Sequence, residues 1–320
     1  MLKVLITHSL PEEGLKELRE KFNIIMPKSG HINQEMLDTH IKDCDAILCT
    51  YAFKVRKGII EKAKKLKIIA NFGVGIDNID IEYAKSKNIC VTNSPGNSDI
   101  PVAELTIALM LDLIRKVTFN DRKMRESAPD NIIDVTSNLG NTVSGKKLGL
   151  VGIGKIAKSV AKIASVLGMK IIYHNRRRLP SDEEHSLNIE WKDSLKDLLH
   201  EADIVSLHIP STDENTHIIG FKEFSIMKNS AYIVNTARGS LIDEEALINS
   251  LNNGEIAGAA LDVFENEKNI NPKLFECKNL ILSPHNGTGT IEARIRNTLT
   301  ASSNIMNFFY GKKEKLICAE

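Results

Sequence analysis

Three side chains in the second half of the chain, Arg238, Glu267 and His285, are of types that together can hold an organic acid and move a proton. Arg238 lies just past the β-rich run Tyr232 to Asn235 and is followed by Gly239. Its planar fork of donors suits bidentate recognition of a carboxylate. His285 follows the run Leu280 to Ser283, and imidazole, which titrates near working pH, is the natural general acid. Glu267, hydrogen-bonded to the other ring nitrogen, would favour the imidazolium and fix its orientation. Together they would supply a cation for a carboxylate, a proton donor, and a partner that keeps the donor charged. Taken singly, a histidine in a strand-end loop is structural more often than catalytic.

A second constellation precedes it. Leu148 to Val151 reads as a strand, followed by Gly152-Ile153-Gly154-Lys155-Ile156-Ala157 and a helical pattern through Leu167. In this G-x-G-x-x-A arrangement Gly152 permits a tight turn, Gly154 lets the backbone approach a pyrophosphate, and Ala157 permits close packing of helix on strand. The pyrophosphate would sit on the helix N-terminus, at Lys155 and Ile156, where free N–H groups and the dipole favour anions. The second strand, Ile171 to His174, leads into Asn175-Arg176-Arg177-Arg178. An acid that would grip a ribose 2′-hydroxyl is missing there, and arginine suits a 2′-phosphate. NADPH is therefore the expected cofactor, with NADH as the alternative; a solvated basic loop is the bland reading of the same residues.

The elements that must position these residues alternate short β-rich runs with helical segments, which predicts parallel sheets with crossover helices. Strands are expected at Val4 to Thr7, Ala46 to Cys49, Ile68 to Asn71 and Cys90 to Thr92, with a helix from Pro11 to Phe22. The turn-rich stretch Pro95 to Pro101 then opens a long apolar helix, about Val102 to Arg125, and Asn120 to Ser144 reads as an irregular link. A second series has strands at Leu148 to Val151, Ile171 to His174, Ile204 to His208, Tyr232 to Asn235, Ala257 to Leu261 and Leu280 to Ser283. Alternation of this kind predicts a doubly wound sheet. A final helix, about Ile291 to Tyr310, has no strand after it and could return to the first series, making that domain discontinuous.

Length and composition agree. A chain of 320 residues, 42% hydrophobic and 26% charged, is that of a globular protein of two domains. A net charge of +1 without a long basic block argues against nucleic acid. Five cysteines (Cys44, Cys49, Cys90, Cys277, Cys318) without a C-x-x-C pair suit a reducing compartment. The start reads as a first strand rather than a signal peptide, and the most apolar segment, Leu105 to Ile114, is broken by Asp112 and too short for a bilayer. A cytoplasmic location is expected, with no membrane, no nucleic acid and no metal.

Asn71-Phe72-Gly73-Val74-Gly75-Ile76-Asp77-Asn78-Ile79-Asp80, Val102-Ala103-Glu104, the glycine motif, Asn235-Thr236-Ala237-Arg238-Gly239, Leu261-Asp262-Val263-Phe264-Glu265-Asn266-Glu267 and Ser283-Pro284-His285-Asn286-Gly287 together resemble the D-isomer-specific 2-hydroxyacid dehydrogenase family. The resemblance, closest in kind to glyoxylate/hydroxypyruvate reductases, spans nearly the whole chain and includes the spacings between Arg238, Glu267 and His285. It implies an α/β fold of two doubly wound parallel-sheet domains. Residues 1–100 and 287–320 would form a flavodoxin-like substrate domain and 101–286 a Rossmann cofactor domain, with the active site in the cleft between them. Val74 and Gly75 would offer backbone N–H groups to the substrate carboxylate. Asp262 would contact the nicotinamide carboxamide, and Thr236, Ala237 and Gly287 would belong to the cofactor site. Thr106 and Pro210 would line the cofactor groove, although helix packing and a strand-end stop explain them equally well. Tyr51 would wall the substrate pocket, or be a buried tyrosine with a bonded hydroxyl. A homodimer is expected, with the long helix after Pro101 as its surface.

The expected reaction is hydride transfer from NAD(P)H to glyoxylate, hydroxypyruvate or 2-ketogluconate, giving the D-2-hydroxy acid. Phosphoglycerate dehydrogenase is the alternative within enzymes, and a nucleotide-sensing co-repressor the alternative of another class. Formate dehydrogenase pairs its histidine with glutamine, and the carboxylate at 267 favours a hydroxyacid. Three departures from the family pattern stand out: Ala157 for the third glycine, Asn175 for the acid, and Asn286 where an apolar residue is common.

Overall fold

Short aliphatic runs form parallel strands throughout both halves of the chain. The computed structural model describes residues 1–126 and 135–312, with 314, 316 and 318. They divide into two units, Met1–Ser98 with Thr288–Glu320, and Asp99–Gly287.

In the first unit, strands β1 (Lys3–Ile6), β2 (Asn23–Ile25), β3 (Ala46–Cys49), β4 (Ile68–Asn71) and β5 (Cys90–Thr92) lie in the order β2-β1-β3-β4-β5, every pair parallel. This is the flavodoxin-like order, whose switch point falls between β1 and β3. Helices α1 (Lys16–Lys21), α2 (Gln34–His40), α3 (Lys57–Lys62) and α4 (Ile81–Ser86) connect them. Because successive side chains point to opposite faces, Leu5, Ile47 and Ile69 join Leu37, Ile41 and Ile60 in one core. Val4, Ile6, Leu48 and Ile68 join Leu15, Leu18, Ala301 and Ile305 in the other.

The second unit contains α5 (Asp99–Arg115), α6 (Val117–Glu126), β6 (Lys147–Val151), α7 (Lys155–Val166), β7 (Lys170–His174), α8 (Ser181–Leu187), β8 (Ile189–Trp191), α9 (Leu195–Glu201), β9 (Ile204–Leu207), α10 (Phe221–Ile226), β10 (Tyr232–Asn235), α11 (Glu244–Asn252), β11 (Gly258–Leu261) and β12 (Leu280–Leu282). Its seven parallel strands run in the order β12-β11-β10-β9-β6-β7-β8. Read from the other edge, this is the Rossmann order extended by one strand, with the chain reversing direction between β6 and β9. Leu148, Leu150, Ile171 and Val234 pack under α5 and α7 on one face. Val205, Leu207, Ile233 and Leu261 pack under Leu198, Phe224 and Leu247 on the other.

Helix α12 (Ile291–Phe309) belongs to the first unit and lies against β4. Thr290 caps it by accepting the Ala293 N–H, and a close approach seats it. An ideal Cβ on Gly14 would stand 2.4 Å from Cβ of Thr298, and Ser302 Oγ donates to the Gly14 carbonyl at 2.9 Å.

Several boundaries differ from the sequence expectation. The helix expected over Val102 to Arg125 begins at Asp99 and breaks at Lys116, a left-handed residue with φ 57°. The Asp112 carboxylate accepts the Thr118 N–H at 2.7 Å and also its hydroxyl, so it starts α6 where α5 stops. The link expected to be irregular from Asn120 is therefore helical through Glu126; its residues 127–134 lie outside the described residues. The helix expected from Pro11 to Phe22 splits into a 3-10 turn, Glu12–Gly14, and α1. Strands β2 and β8 were not anticipated: each has three residues at a sheet edge, too few to show alternation. Among the described residues no helix is long and apolar enough to cross a membrane.

Candidate active site

The glycine motif sits where β6 meets α7. Gly152 has φ 92°, a region L side chains rarely adopt, and a Cβ there would stand 2.7 Å from the His208 carbonyl oxygen. Gly154 caps α7, and a Cβ on it would meet nothing within 4 Å. The protein does not need that space, which suits an approaching pyrophosphate. Lys155 and Ile156 form the first turn of α7, and Ala157 is fully buried against the sheet. Beside the motif, His208 follows β9 with Nε2 2.9 Å from Ser206 Oγ, and burial lowers its pKa to about 4. No sequence motif had pointed to His208. Pro210, two residues on, is exposed, and its carbonyl accepts from Asn215 at 3.0 Å.

At the end of β7 the arginine run separates into two kinds. Arg178 forks onto Glu184 with bonds of 3.0 and 2.8 Å and lies over the Trp191 ring, 5.2 Å from its centroid. That guanidinium, with the Tyr173 hydroxyl donating at 2.7 Å, holds Glu184 down at about 2. Arg178 is thus committed to the protein. Arg176 and Arg177 are exposed, and the Asn175 amide donates to the Arg177 carbonyl at 2.8 Å, which closes the turn that carries them.

The proposed catalytic residues follow β10, β11 and β12. After β10, Thr236 Oγ1 meets Thr106 Oγ1 of α5 at 2.8 Å, both side chains being buried. Asn235 shapes the next turn: its Oδ1 accepts the Ala237 N–H at 3.0 Å and its amide donates to the Arg238 carbonyl at 2.8 Å. The Arg238 guanidinium donates to the Ala237 carbonyl at 2.7 Å. Gly239 then lies directly on the loop after β11, where any Cβ would fall 1.9 Å from the carbonyl carbon of Phe264. Only glycine lets these two loops touch.

Asp262, the residue after β11, joins the loops. Its N–H donates to the Asn235 carbonyl at 2.9 Å, its carbonyl accepts the His285 N–H at 2.8 Å, and its Oδ1 accepts the Asn286 N–H at 2.8 Å. Its Oδ2 is buried and accepts nothing among the described residues. A buried carboxylate oxygen without a donor is costly, and Gly287 leaves the space beside it clear of a Cβ. A carboxamide N–H fits that need. The backbone bond also helps hold His285 at φ 51°, a conformation unusual for a non-glycine residue and characteristic of functional loops.

The imidazole Nδ1 of His285 lies 2.6 Å from Glu267 Oε1. A carboxylate can only accept, so Nδ1 carries the proton. The two side chains are partly exposed, by 25% and 38%, which leaves them accessible to a ligand. Tyr51, Val74 and Gly75 belong to the first unit. Tyr51 is half-buried just after β3, and Val74 and Gly75 lie on the loop after β4, with Val74 exposed.

The family model for the NAD binding domain of D-isomer specific 2-hydroxyacid dehydrogenases matches residues 107–287. The chain is 41% identical to a glyoxylate reductase of Thermococcus litoralis over 315 residues, 97% of this chain and 94% of that protein. It is 40% identical over 294 residues to a D-3-phosphoglycerate dehydrogenase of Methanocaldococcus jannaschii, covering 92% of this chain but 55% of that one. Among solved structures it is similar to an NADPH-dependent glyoxylate/hydroxypyruvate reductase of Sinorhizobium meliloti in complex with NADP and malonate, with a TM-score of 0.84 and 26% identity over 99% of this chain and 96% of that one.

The state of His208 sets a pH dependence. Its folded pKa of about 4 lies below the ordinary 6.5, so between those values the unfolded chain binds a proton that the native protein does not. Stability is unaffected by this group above 6.5 and falls as pH drops towards 4. Denaturant midpoints measured across that window should show a shallower fall for His208→Gln, and an unaltered slope would contradict the neutral imidazole.

Proposed function

The chain belongs to the D-isomer-specific 2-hydroxyacid dehydrogenase family, and on that premise we propose that it reduces a small 2-oxo acid of the glyoxylate, hydroxypyruvate or 2-ketogluconate type to the D-2-hydroxy acid, with NADPH as preferred donor. It is an NAD(P)-dependent oxidoreductase of α/β fold. The observation that carries the proposed site is the 2.6 Å contact of His285 with Glu267 at the carboxyl edge of the dinucleotide sheet.

A nicotinamide cofactor, when bound, would supply the hydride for the carbonyl carbon. Gly152, Gly154 and the first turn of α7 would hold its pyrophosphate, and Asp262 its carboxamide. Arg238 pairs with the substrate carboxylate, drawing charge away from the adjacent carbonyl. His285, its Nδ1 engaged by Glu267, delivers a proton from Nε2 to the carbonyl oxygen as the alcohol forms. The Glu267 carboxylate holds the ring in one orientation and balances the imidazolium charge. With Gln at 267 an acceptor remains but the charge does not. Glu267→Gln should therefore lower kcat by roughly 10–100-fold, the worth of one charge-assisted hydrogen bond, with the NADPH Kd unchanged. Full activity in stopped-flow turnover would remove Glu267 from the mechanism.

Cofactor preference rests on Arg176 and Arg177, since Arg178 is committed to Glu184 and Asn175 offers no carboxylate to a ribose hydroxyl. Replacing both by alanine should raise KM for NADPH by about tenfold or more and leave KM for NADH nearly unchanged. An equal effect on both cofactors would count against the 2′-phosphate reading. Phosphohydroxypyruvate is to be assayed beside glyoxylate, hydroxypyruvate and 2-ketogluconate because a phosphoglycerate dehydrogenase is among the relatives.

Two further readings accompany this one. Cys44, Cys49, Cys277 and Cys318 are free thiols, which supports a cytosolic location; fractionation of the source cells checks it. A homodimer is favoured by Val117, Phe119 and Met124, which leave apolar surface exposed along α6. The inner face of α5, by contrast, is spent against α7 within its own unit, so of the long helix expected after Pro101 it is the α6 part that we propose for the contact. Phe119→Asp should sediment as a monomer if α6 forms that contact, and a dimer of unaltered stability would place it elsewhere.

A further inference from the structure

The loop after β4 is held by side-chain hydrogen bonds that its sequence pattern does not reveal. Asn71, the last residue of β4, is fully buried, and its side-chain amide donates to two carbonyls of the following loop, Gly73 at 3.1 Å and Gly75 at 2.7 Å. The carbonyl between them, of Val74, accepts from the side-chain amide of Asn93 at 2.9 Å. The Gly73 carbonyl also accepts the Ser94 N–H at 3.0 Å. Three consecutive carbonyls are thus tied down by two asparagine amides and one backbone N–H.

The consequence for the N–H groups is geometric. In a trans peptide the C=O and the next N–H point in opposite directions, and every described peptide here is trans. Pinning the carbonyls of Gly73, Val74 and Gly75 turns the N–H groups of Val74, Gly75 and Ile76 the other way. Successive backbone N–H groups presented together form an anion-binding concavity. The orientation of Asn71 is itself determined. Its Oδ1 accepts from the Asn78 amide at 3.3 Å, and the flipped amide would set that oxygen against two carbonyls. Asn78, also buried, is held by the carbonyls of Thr50 and Phe53 at 3.0 and 3.1 Å.

We propose that Asn71 and Asn93 are positioning residues for substrate: by holding these carbonyls they aim the amides of Val74 and Gly75 at the carboxylate of the 2-oxo acid, and Asn78 locks Asn71 in the orientation that does so. The inference rests on the proposed reading that Val74 and Gly75 bind that carboxylate. Neither asparagine touches substrate. Their loss should weaken recognition of the acid while sparing hydride and proton transfer once it is bound.

Two measurements separate the inference from the reading beneath it. In the wild-type holoenzyme loaded with NADPH, oxamate should shift the amide proton and nitrogen resonances of Val74 and Gly75; if they stay still, the carboxylate reading itself fails and the inference falls with it. With those shifts present, Asn93→Ala is the deciding variant, because its side chain is only half-buried and its removal spares the core. KM for the acid turned over should rise about tenfold, with kcat at saturation within about twofold and the NADPH Kd unchanged. Asn71→Leu, checked for an intact thermal transition, should act in the same direction and more strongly, having lost two bonds. An unchanged KM in Asn93→Ala, or a loss confined to kcat, would overturn the positioning role and leave the carboxylate reading standing.

Discussion

The second unit depends on the meeting of three loops at the carboxyl edge of its sheet, and Asp262 is the residue that makes them meet. Its N–H, carbonyl and one carboxylate oxygen bind the ends of β10 and β12, while Gly239 brings the β10 loop into backbone contact with the β11 loop. Parallel strands deliver their successive loops to a single edge, so residues far apart in the chain share one neighbourhood there. The same loops carry Arg238, Glu267 and His285, of which the last two are in contact at 2.6 Å. The left-handed conformation of His285 is tolerable because its own N–H is held by the Asp262 and Ser283 carbonyls at 2.8 and 3.1 Å.

Charge is distributed with a similar economy. Glu184, Arg178 and Tyr173 form a closed set at the end of β7, fixing the turn from which Arg176 and Arg177 project. A charge run in sequence therefore resolves into one structural arginine and two available ones. At the end of β9 the opposite occurs. His208 stays neutral beside the glycine turn, so it adds no titrating charge where a pyrophosphate would lie.

The first unit handles its loop after β4 by neutral means. Asparagine amides, each a double donor, restrain carbonyls there without bringing in a charge. Buried amides of this kind must be satisfied to be stable, and those of Asn71 and Asn78 are met by the carbonyls of Gly73, Gly75, Thr50 and Phe53. Asn286, where the family commonly has an apolar residue, is exposed, and its backbone N–H goes to Asp262; nothing in the structure explains its side chain.

The sequence by itself determined the fold class and the glycine turn, and it nominated Arg238, Glu267 and His285 as candidates. Each is carried by local signals: alternating apolar runs, small residues at fixed offsets, and chemically distinctive side chains beside strand ends. It missed β2 and β8, because three-residue edge strands take their shape from the neighbour they pair with. It could not see the break at Lys116, which is set by the Asp112 bonds to Thr118, nor that Arg178 is bound to Glu184. Only the tertiary structure could decide that Gly239 lies against Phe264, that Asp262 keeps one oxygen unanswered among the described residues, and that Asn71 and Asn93 hold one loop. These are contacts between residues tens of positions apart or turns of backbone geometry, and chain order carries no distance information about either.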